Sequence, residues 1–201
     1  MRPWTVLWLL LIPLGLYSGW QRFEQRPVSE PDGVVAPGEP LQGEAGDTTP
    51  LRHGRWMLTP RASYDITARI LSRADYRFDA MADLVPEDLA LGWGPMSDNR
   101  VLRDFDISQS VRFYTWEPRG PLPIPRESVI SHSANTHLIP ADERIRTEIG
   151  RLRQGDVVRL TGSLVDAKRD DGAFIHTSLT RLDTSPGACE VLLVESVELQ
   201  R

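Results

Sequence analysis

Cysteine is almost absent from this chain of 201 residues, which has a single thiol at Cys189. One thiol cannot form a disulfide within the chain, and zinc sites built from several cysteines are excluded as well. The commonest role of such a residue is that of a small hydrophobic side chain. We therefore expect Cys189 to be buried in or beside a strand.

A surplus of positive charge is also lacking. The chain has 23 lysines and arginines against 28 aspartates and glutamates, which gives a net charge of -5. Broad binding to nucleic acid requires cations that displace counterions, so no nucleic-acid partner is expected. A hydrophobic content of 40% and a charged content of 25% are typical of a globular protein with one core.

Several catalytic and cofactor motifs are missing from the sequence. It contains no Gly-x-Ser-x-Gly turn, no Ser-x-x-Lys pair, no Walker loop and no dinucleotide-binding fingerprint. No cofactor is therefore predicted and no metal is assigned. Motifs alone assign no catalytic residue, and on this ground we favour a protein that is not an enzyme.

One long hydrophobic run lies at the N-terminus. Residues 4–20 carry no charge, and Trp4 and Trp20 stand at the two ends of the run. This length is near the lower limit for a membrane-spanning helix, and tryptophan favours the membrane interfaces. We predict an uncleaved single-pass membrane anchor, with the C-terminal domain outside the cytoplasm. A cleaved signal peptide and a buried helix are the alternatives.

The next segment, residues 21–53, is rich in proline and glycine and has almost no apolar periodicity. Such a composition buries too little surface to offset the entropy lost on ordering. We predict a disordered tether over residues 21–53 and a globular, mainly β domain over residues 54–201. In that domain, alternation of apolar and polar residues predicts strands over 63–73, 107–116, 156–165 and 190–199.

One amphipathic helix is predicted after Pro140, where Ile145, Ile149 and Leu152 recur at helical spacing. Residues 74–106 are expected to form a long irregular insertion with a short helix over 87–91. The order of strands, helix, bent strand and hairpin resembles the OB-fold, in which a helix lies between the third and fourth strands. The predicted class is therefore α+β: a small antiparallel OB-like β-barrel closed by one helix.

Polar side chains are concentrated in the stretch SHSANTHLIP, residues 131–140. Histidines 132 and 137 are five positions apart, which is not the helical spacing that places two imidazoles on one metal. The stretch is first interpreted as a structure that leads the chain into the helix. The alternative is a hydrolase or a metal-dependent enzyme centred on His132, Asn135 and His137. The candidate binding site comprises Ser131, His132, Ser133, Asn135, His137 and Trp93.

Four segments resemble the signature strings of an uncharacterised group of bacterial membrane-anchored proteins. They are GWGPMSD at 92–98, DISQS at 106–110, SANTHLIP at 133–140 and GACE at 187–190. The resemblance implies a short N-terminal anchor and a bacterial envelope setting, and it brings no activity with it. The leading hypothesis is an envelope module whose OB-like barrel binds a protein or glycan partner.

Overall fold

The computed structural model describes residues 26–180 and 188–200 of the chain. The predicted anchor, residues 4–20, lies outside the described residues, as does the beginning of the predicted tether. Within the part that is described, no helix is long and apolar enough to cross a membrane.

The domain is mainly β, as the sequence predicts. Its strands are β1 Leu41–Glu44, β2 Leu51–His53, β3 Trp56–Asp75, β4 Glu87–Gly92, β5 Phe105–Ser110, β6 Phe113–Pro118, β7 Ser133–Pro140, β8 Val157–Arg169, β9 Phe174–Ile175 and β10 Glu190–Gln200. Its helical elements are a 3-10 turn Gly94–Ser97 and the α-helices α1 Asn99–Leu102, α2 Arg126–Ser131 and α3 Glu143–Ile149.

The large sheet runs in the order β1-β3-β4-β7-β10-β8-β9, and an additional pairing joins β3 to β8. Most neighbouring strands are antiparallel, but β7 and β10 are parallel, which corrects the expectation of a wholly antiparallel arrangement. The main core is built from side chains of these paired strands together with α3. β5 and β6 form a separate two-stranded hairpin.

The predicted disordered tether differs from the structure over much of its length. Within it, β1 and β2 pair with β3, and Ala36 is fully buried. The backbone N–H of Val28 donates to the carbonyl of Gln154 at 2.7 Å. Proline-rich chain can be held by backbone hydrogen bonds of this kind while burying few side chains, so hydrophobic periodicity does not reveal it.

Three local predictions are wrong. Residues 87–91 belong to strand β4 instead of a helix, because Leu89, Ala90 and Leu91 are all buried and a short continuous apolar run has no diagnostic period. The stretch after Ser131, predicted as a helix-entry loop, forms strand β7. The single strand predicted over 107–116 is instead the β5–β6 hairpin, which turns at Val111 and Arg112.

The predicted amphipathic helix is confirmed as α3. Its Ile145 and Ile149 are buried, and Leu152 is buried just beyond its end. It begins later than Pro140, because the side chain of Asp142 caps it by accepting a hydrogen bond from the N–H of Ile145 at 2.8 Å. The predictions of β8 and β10 are also confirmed.

Candidate functional site

Three neighbouring strands, β4, β7 and β10, bring polar side chains to one face of the sheet. Asp88 lies opposite His137 in the β4–β7 pairing, and Val191 lies opposite His137 in the β7–β10 pairing. Side chains two residues apart in a strand point to the same face, so Asn135 joins His137. Cys189 lies one residue before β10 and interacts with His137. The imidazole therefore lies between a carboxylate on one side and a thiol on the other.

His137 is the central member of this group. Its Nδ1 lies 2.8 Å from Oδ1 of Asp88, at ion-pair distance but off the axis of a straight hydrogen bond. Burial by itself lowers the pKa of His137, but its interactions with Asp88 and Cys189 outweigh burial and raise this pKa to about 9. His137 is therefore protonated at neutral pH and lies beside the sulfur of Cys189.

Asn135 fixes the surroundings of the thiol. Its Nδ2 donates to the carbonyl of Arg112 at 3.0 Å and lies 3.5 Å from Sγ of Cys189. Its Oδ1 accepts a hydrogen bond from Nε2 of Gln109 at 2.7 Å. Because both ends of the carboxamide are bonded, its orientation is determined, and one amide N–H points towards the sulfur.

Arg112 ties the β5–β6 turn to the same site. Its guanidinium binds both carboxylate oxygens of Asp79 at 2.8 Å and Oδ1 of Asp88 at 3.0 Å, and it stacks 3.7 Å from the ring centre of Tyr76. The φ angles of Val111 and Arg112 are 50° and 68°, a region that two-residue hairpin turns require and that β-branched residues avoid. The ion pairs of Arg112 hold this strained turn against the strands that carry the site.

A cavity of about 350 Å³ opens beside the thiol. Aromatic side chains from the hairpin and from the loop after β4 form much of its wall, and burial raises the pKa of Tyr114 to about 12. A cavity with aromatic walls and a few polar groups is typical of small-molecule sites. The lining includes Trp93, Phe113, Tyr114, Trp116, Arg126, Ser133, Asn135, Cys189 and Glu190.

The residues predicted for the binding site are divided between two places. Trp93, Ser133 and Asn135 line the cavity, and His137 lies behind it in contact with Cys189. Ser131 and His132 lie at the end of α2, where Nδ1 of His132 is 2.8 Å from the carbonyl of Ser128.

Ser133 and His132, which are adjacent in the stretch 131–140, have different partners. The hydroxyl of Ser133 donates to the carbonyl of Val129 at 2.7 Å and accepts a hydrogen bond from Tyr114 at 3.3 Å. Nε2 of His132 lies 3.5 Å from Glu39. His132 and His137 therefore have separate partners and do not converge.

Cys189, Asp88 and Arg112 were missed by the sequence analysis. Cys189 follows the expectation of a position beside a strand, but it is partly exposed. Asp88 was assigned to a helix, which hid its cross-strand position opposite His137. The sequence carries no local signal for this arrangement, because only the pairing of β7 with β10 brings Cys189 close to His137.

The geometry does not resemble a metal centre. Across residues 26–180 and 188–200, no three or more histidine, cysteine, aspartate or glutamate side chains are grouped so that they could hold a metal ion. Asp88 and His137 come from the neighbouring strands β4 and β7, and Cys189 lies one residue before β10, which pairs with β7.

Comparison of the chain with protein-family models, curated proteins and solved structures gives no match. The function is therefore argued from the site itself.

Proposed function

We propose that the chain is an enzyme that uses Cys189 as a nucleophile in acyl transfer or hydrolysis. The single observation that carries this proposal is the succession of a carboxylate on β4, an imidazole on β7 and a thiol one residue before β10, with the thiol at the wall of a cavity. A nucleophile, a base and a group that orients the base are the parts that such catalysis requires.

The proposed reaction begins when the thiolate of Cys189 attacks the carbonyl carbon of an ester or amide. The tetrahedral intermediate collapses to a thioester, and the leaving group takes the proton of the His137 imidazolium. Water then attacks the thioester and gives its proton to His137, which releases a carboxylic acid and restores the thiolate–imidazolium pair. No oxidant, metal or cofactor enters this cycle.

Two neighbours support these steps. Asp88 is completely buried and holds the imidazole from the side opposite the thiol, as the carboxylate of a triad does. The carboxamide N–H of Asn135 near Sγ is positioned to donate to the oxyanion that forms on the attacked carbonyl. The aromatic walls of the cavity suit an apolar or ring-shaped part of the substrate.

An OB-like barrel is part of the proposal, and the position of the site fits such a barrel. The path β3-β4-β7-β10-β8 returns to its start through the β3–β8 pairing, and α3 lies between β7 and β8. Ligands of OB-folds bind on the face of the second and third strands and at the loops that follow the first and fourth strands. The corresponding elements here are β4, β7, the loop with Asp79 and the connection that ends at Cys189.

The test uses the full-length protein in mild detergent and p-nitrophenyl acetate as the acyl donor. A burst of p-nitrophenolate is expected together with acetylation of the peptide that contains Cys189, detected by mass spectrometry. The burst is expected to vanish in Cys189→Ser and to slow at least about tenfold in His137→Gln. A matched control is His176→Gln, because this histidine also pairs with an aspartate but lies 58% exposed.

Acetylation confined to lysines, or a burst equal in His137→Gln and wild type, contradicts the enzymatic proposal.

A second candidate function is non-catalytic binding of a glycan or protein partner in the same cavity. Four aromatic side chains at its wall favour this reading, because ring stacking is the usual basis of carbohydrate recognition. Binding of a muropeptide mixture that survives Cys189→Ala and is lost in Trp116→Ala supports this alternative. Binding lost equally in both variants contradicts it.

Tethering through residues 4–20 to a bacterial inner membrane, with the domain in the periplasm, belongs to the same proposal. An alkaline phosphatase fused after residue 201 is expected to be active, because that enzyme folds only outside the cytoplasm. An inactive fusion contradicts the proposed orientation.

A further inference from the structure

A second cavity, of about 410 Å³, lies away from the thiol. It is bounded by β3, α1, the start of β5 and the extended segment that includes Pro27 and Val28. Part of its wall is apolar and includes Ile70, Leu102 and Phe105. Among its polar lining residues is Arg69, whose position in the middle of β3 is unusual for a charge.

Arg69 is 6% exposed and makes one described hydrogen bond, from Nη1 to the carbonyl of Ser97 at 3.1 Å. Among residues 26–180 and 188–200, no carboxylate forms an ion pair with it, although Arg112 and Arg159 each contact two. A buried guanidinium with most of its donors unused is costly unless an anion completes its surroundings. The free N–H groups of Arg69 are thus available to a ligand in the cavity.

The nearby acidic groups leave this charge largely uncompensated. Burial lowers the pKa of Arg69, and the attraction of Glu30 and Asp98 offsets only part of this effect. Asp98 is itself bound to Arg100 at 2.7 Å. Among the lining residues, Arg119 and Asp106 pair with each other at 2.6 Å, so the lining keeps one positive charge, that of Arg69.

The wall beside Arg69 is fixed in place. The N–H of Val28 donates to the carbonyl of Gln154 at 2.7 Å, and the amide of Asn99 donates to the carbonyls of Glu30 and Pro31. Gly155, with φ +94°, has no side chain that would collide with the carbonyl of Val28. The segment therefore forms a wall of the cavity in the described structure.

We propose that this second cavity binds a small carboxylate with a short apolar chain. The guanidinium of Arg69 donates to the carboxylate, because the paired N–H groups of an arginine match the two oxygens of a carboxylate. The apolar chain of the ligand packs on the apolar part of the cavity wall. This site is separate from the thiol site and does not depend on its chemistry.

The experiment titrates sodium hexanoate into the full chain in maltoside detergent and measures binding by calorimetry. Hexanol tests the apolar chain without the charge, and inorganic phosphate tests the charge without the chain. We expect hexanoate to bind at least about tenfold more tightly than either, because only hexanoate satisfies both parts of the cavity.

The decisive variant is Arg69→Met, which keeps the length of the side chain and removes the charge. It is expected to fold, because replacing an unpaired buried charge with an apolar group is neutral or stabilising. Hexanoate affinity is expected to fall at least about tenfold in Arg69→Met and less than about threefold in Arg144→Gln, whose charge is exposed, paired with Glu148 and outside the cavity.

Equal affinity of wild type and Arg69→Met for hexanoate would overturn the proposal. No measurable binding of hexanoate, or binding of phosphate as tight as that of hexanoate, would overturn it as well. Circular dichroism of each variant shows whether a loss of binding reflects the site instead of the fold.

Discussion

Two histidine–aspartate pairs in this molecule have nearly the same length and very different surroundings. His137 lies 2.8 Å from Asp88, with side-chain exposures of 8% and 0%, and it also contacts a thiol. His176 lies 2.7 Å from Asp166, with exposures of 58% and 9%, and stacks on Phe174. A short distance alone therefore does not define a reactive pair. Burial of the imidazole and a thiol on its other side are what distinguish the first pair.

The partners of the two aspartates extend this contrast. Asp88 accepts from the largely buried Arg112 and contacts the buried His137, so two cationic groups depend on it. Asp166 accepts from the N–H of Thr177 and contacts the more exposed Arg61. The site is thus built around a buried carboxylate with a buried imidazole, while in the second pair the carboxylate is buried and the imidazole is exposed.

The largest expected effect comes from Asp88→Ala, which leaves the charges of Arg112 and His137 without their shared partner. We expect a loss of about 3–5 kcal/mol in the free energy of unfolding, measured by urea denaturation of the full chain. His176→Ala, at the pair with the exposed imidazole, is expected to change the free energy of unfolding by less than about 0.5 kcal/mol. Similar losses of stability in the two variants would contradict the claim that the two histidine–aspartate pairs differ.

A smaller effect concerns pH. The pKa of His137 in the folded chain is about 9, above its ordinary value of 6.5. The protonated imidazole thus contributes stability that is fully present below pH 6.5 and is lost as pH rises through 9. We expect the stability advantage of wild type over His137→Gln to shrink by up to about 3 kcal/mol across this window.

Urea denaturation of both proteins at several pH values measures this difference, and His176→Gln serves as the control. An advantage of wild type that grows with rising pH would contradict the assignment of a bound proton to His137.

The smallest expected effect concerns the turn through which Arg112 reaches Asp88. Val111 is 80% exposed and adopts φ 50°, so Val111→Gly removes strain and few contacts. We expect a gain of about 0.5–1 kcal/mol in stability, less than the strain itself because glycine also gains freedom in the unfolded chain. Val34→Gly, at an exposed valine with ordinary φ, is expected to destabilise the folded protein. Destabilisation by both variants would argue against strain at the turn.

Much of the fold could be predicted from hydrophobic patterning. The alternation in β3 and the helical spacing of Ile145 and Ile149 in α3 identified these elements, because each has one buried face. β4 and β7 could not be recognised in the same way. Both are buried along nearly their whole length. The short apolar run in β4 has the same appearance in a strand and in a helix, and the polar side chains at the start of β7 show no regular alternation with apolar ones.

The site was only partly predictable for the same reason. Asn135 and His137 were selected because polar side chains are concentrated in residues 131–140. Asp88 and Cys189 are distant from them in sequence, and only the pairing of β4, β7 and β10 brings them together. Cys189 was interpreted as a buried hydrophobic residue because a single thiol gives no pattern. Non-local strand pairing is the information that the local sequence lacks.

The measurement that tests the central claim most directly is the rate at which iodoacetamide alkylates Cys189 in the full chain at pH 7, followed by mass spectrometry. If His137 and Asp88 activate the thiol, the rate falls at least about tenfold in His137→Gln and stays within about twofold of wild type in His176→Gln. Equal rates in wild type and His137→Gln would contradict the account, because the imidazole would then have no influence on the thiol that it contacts.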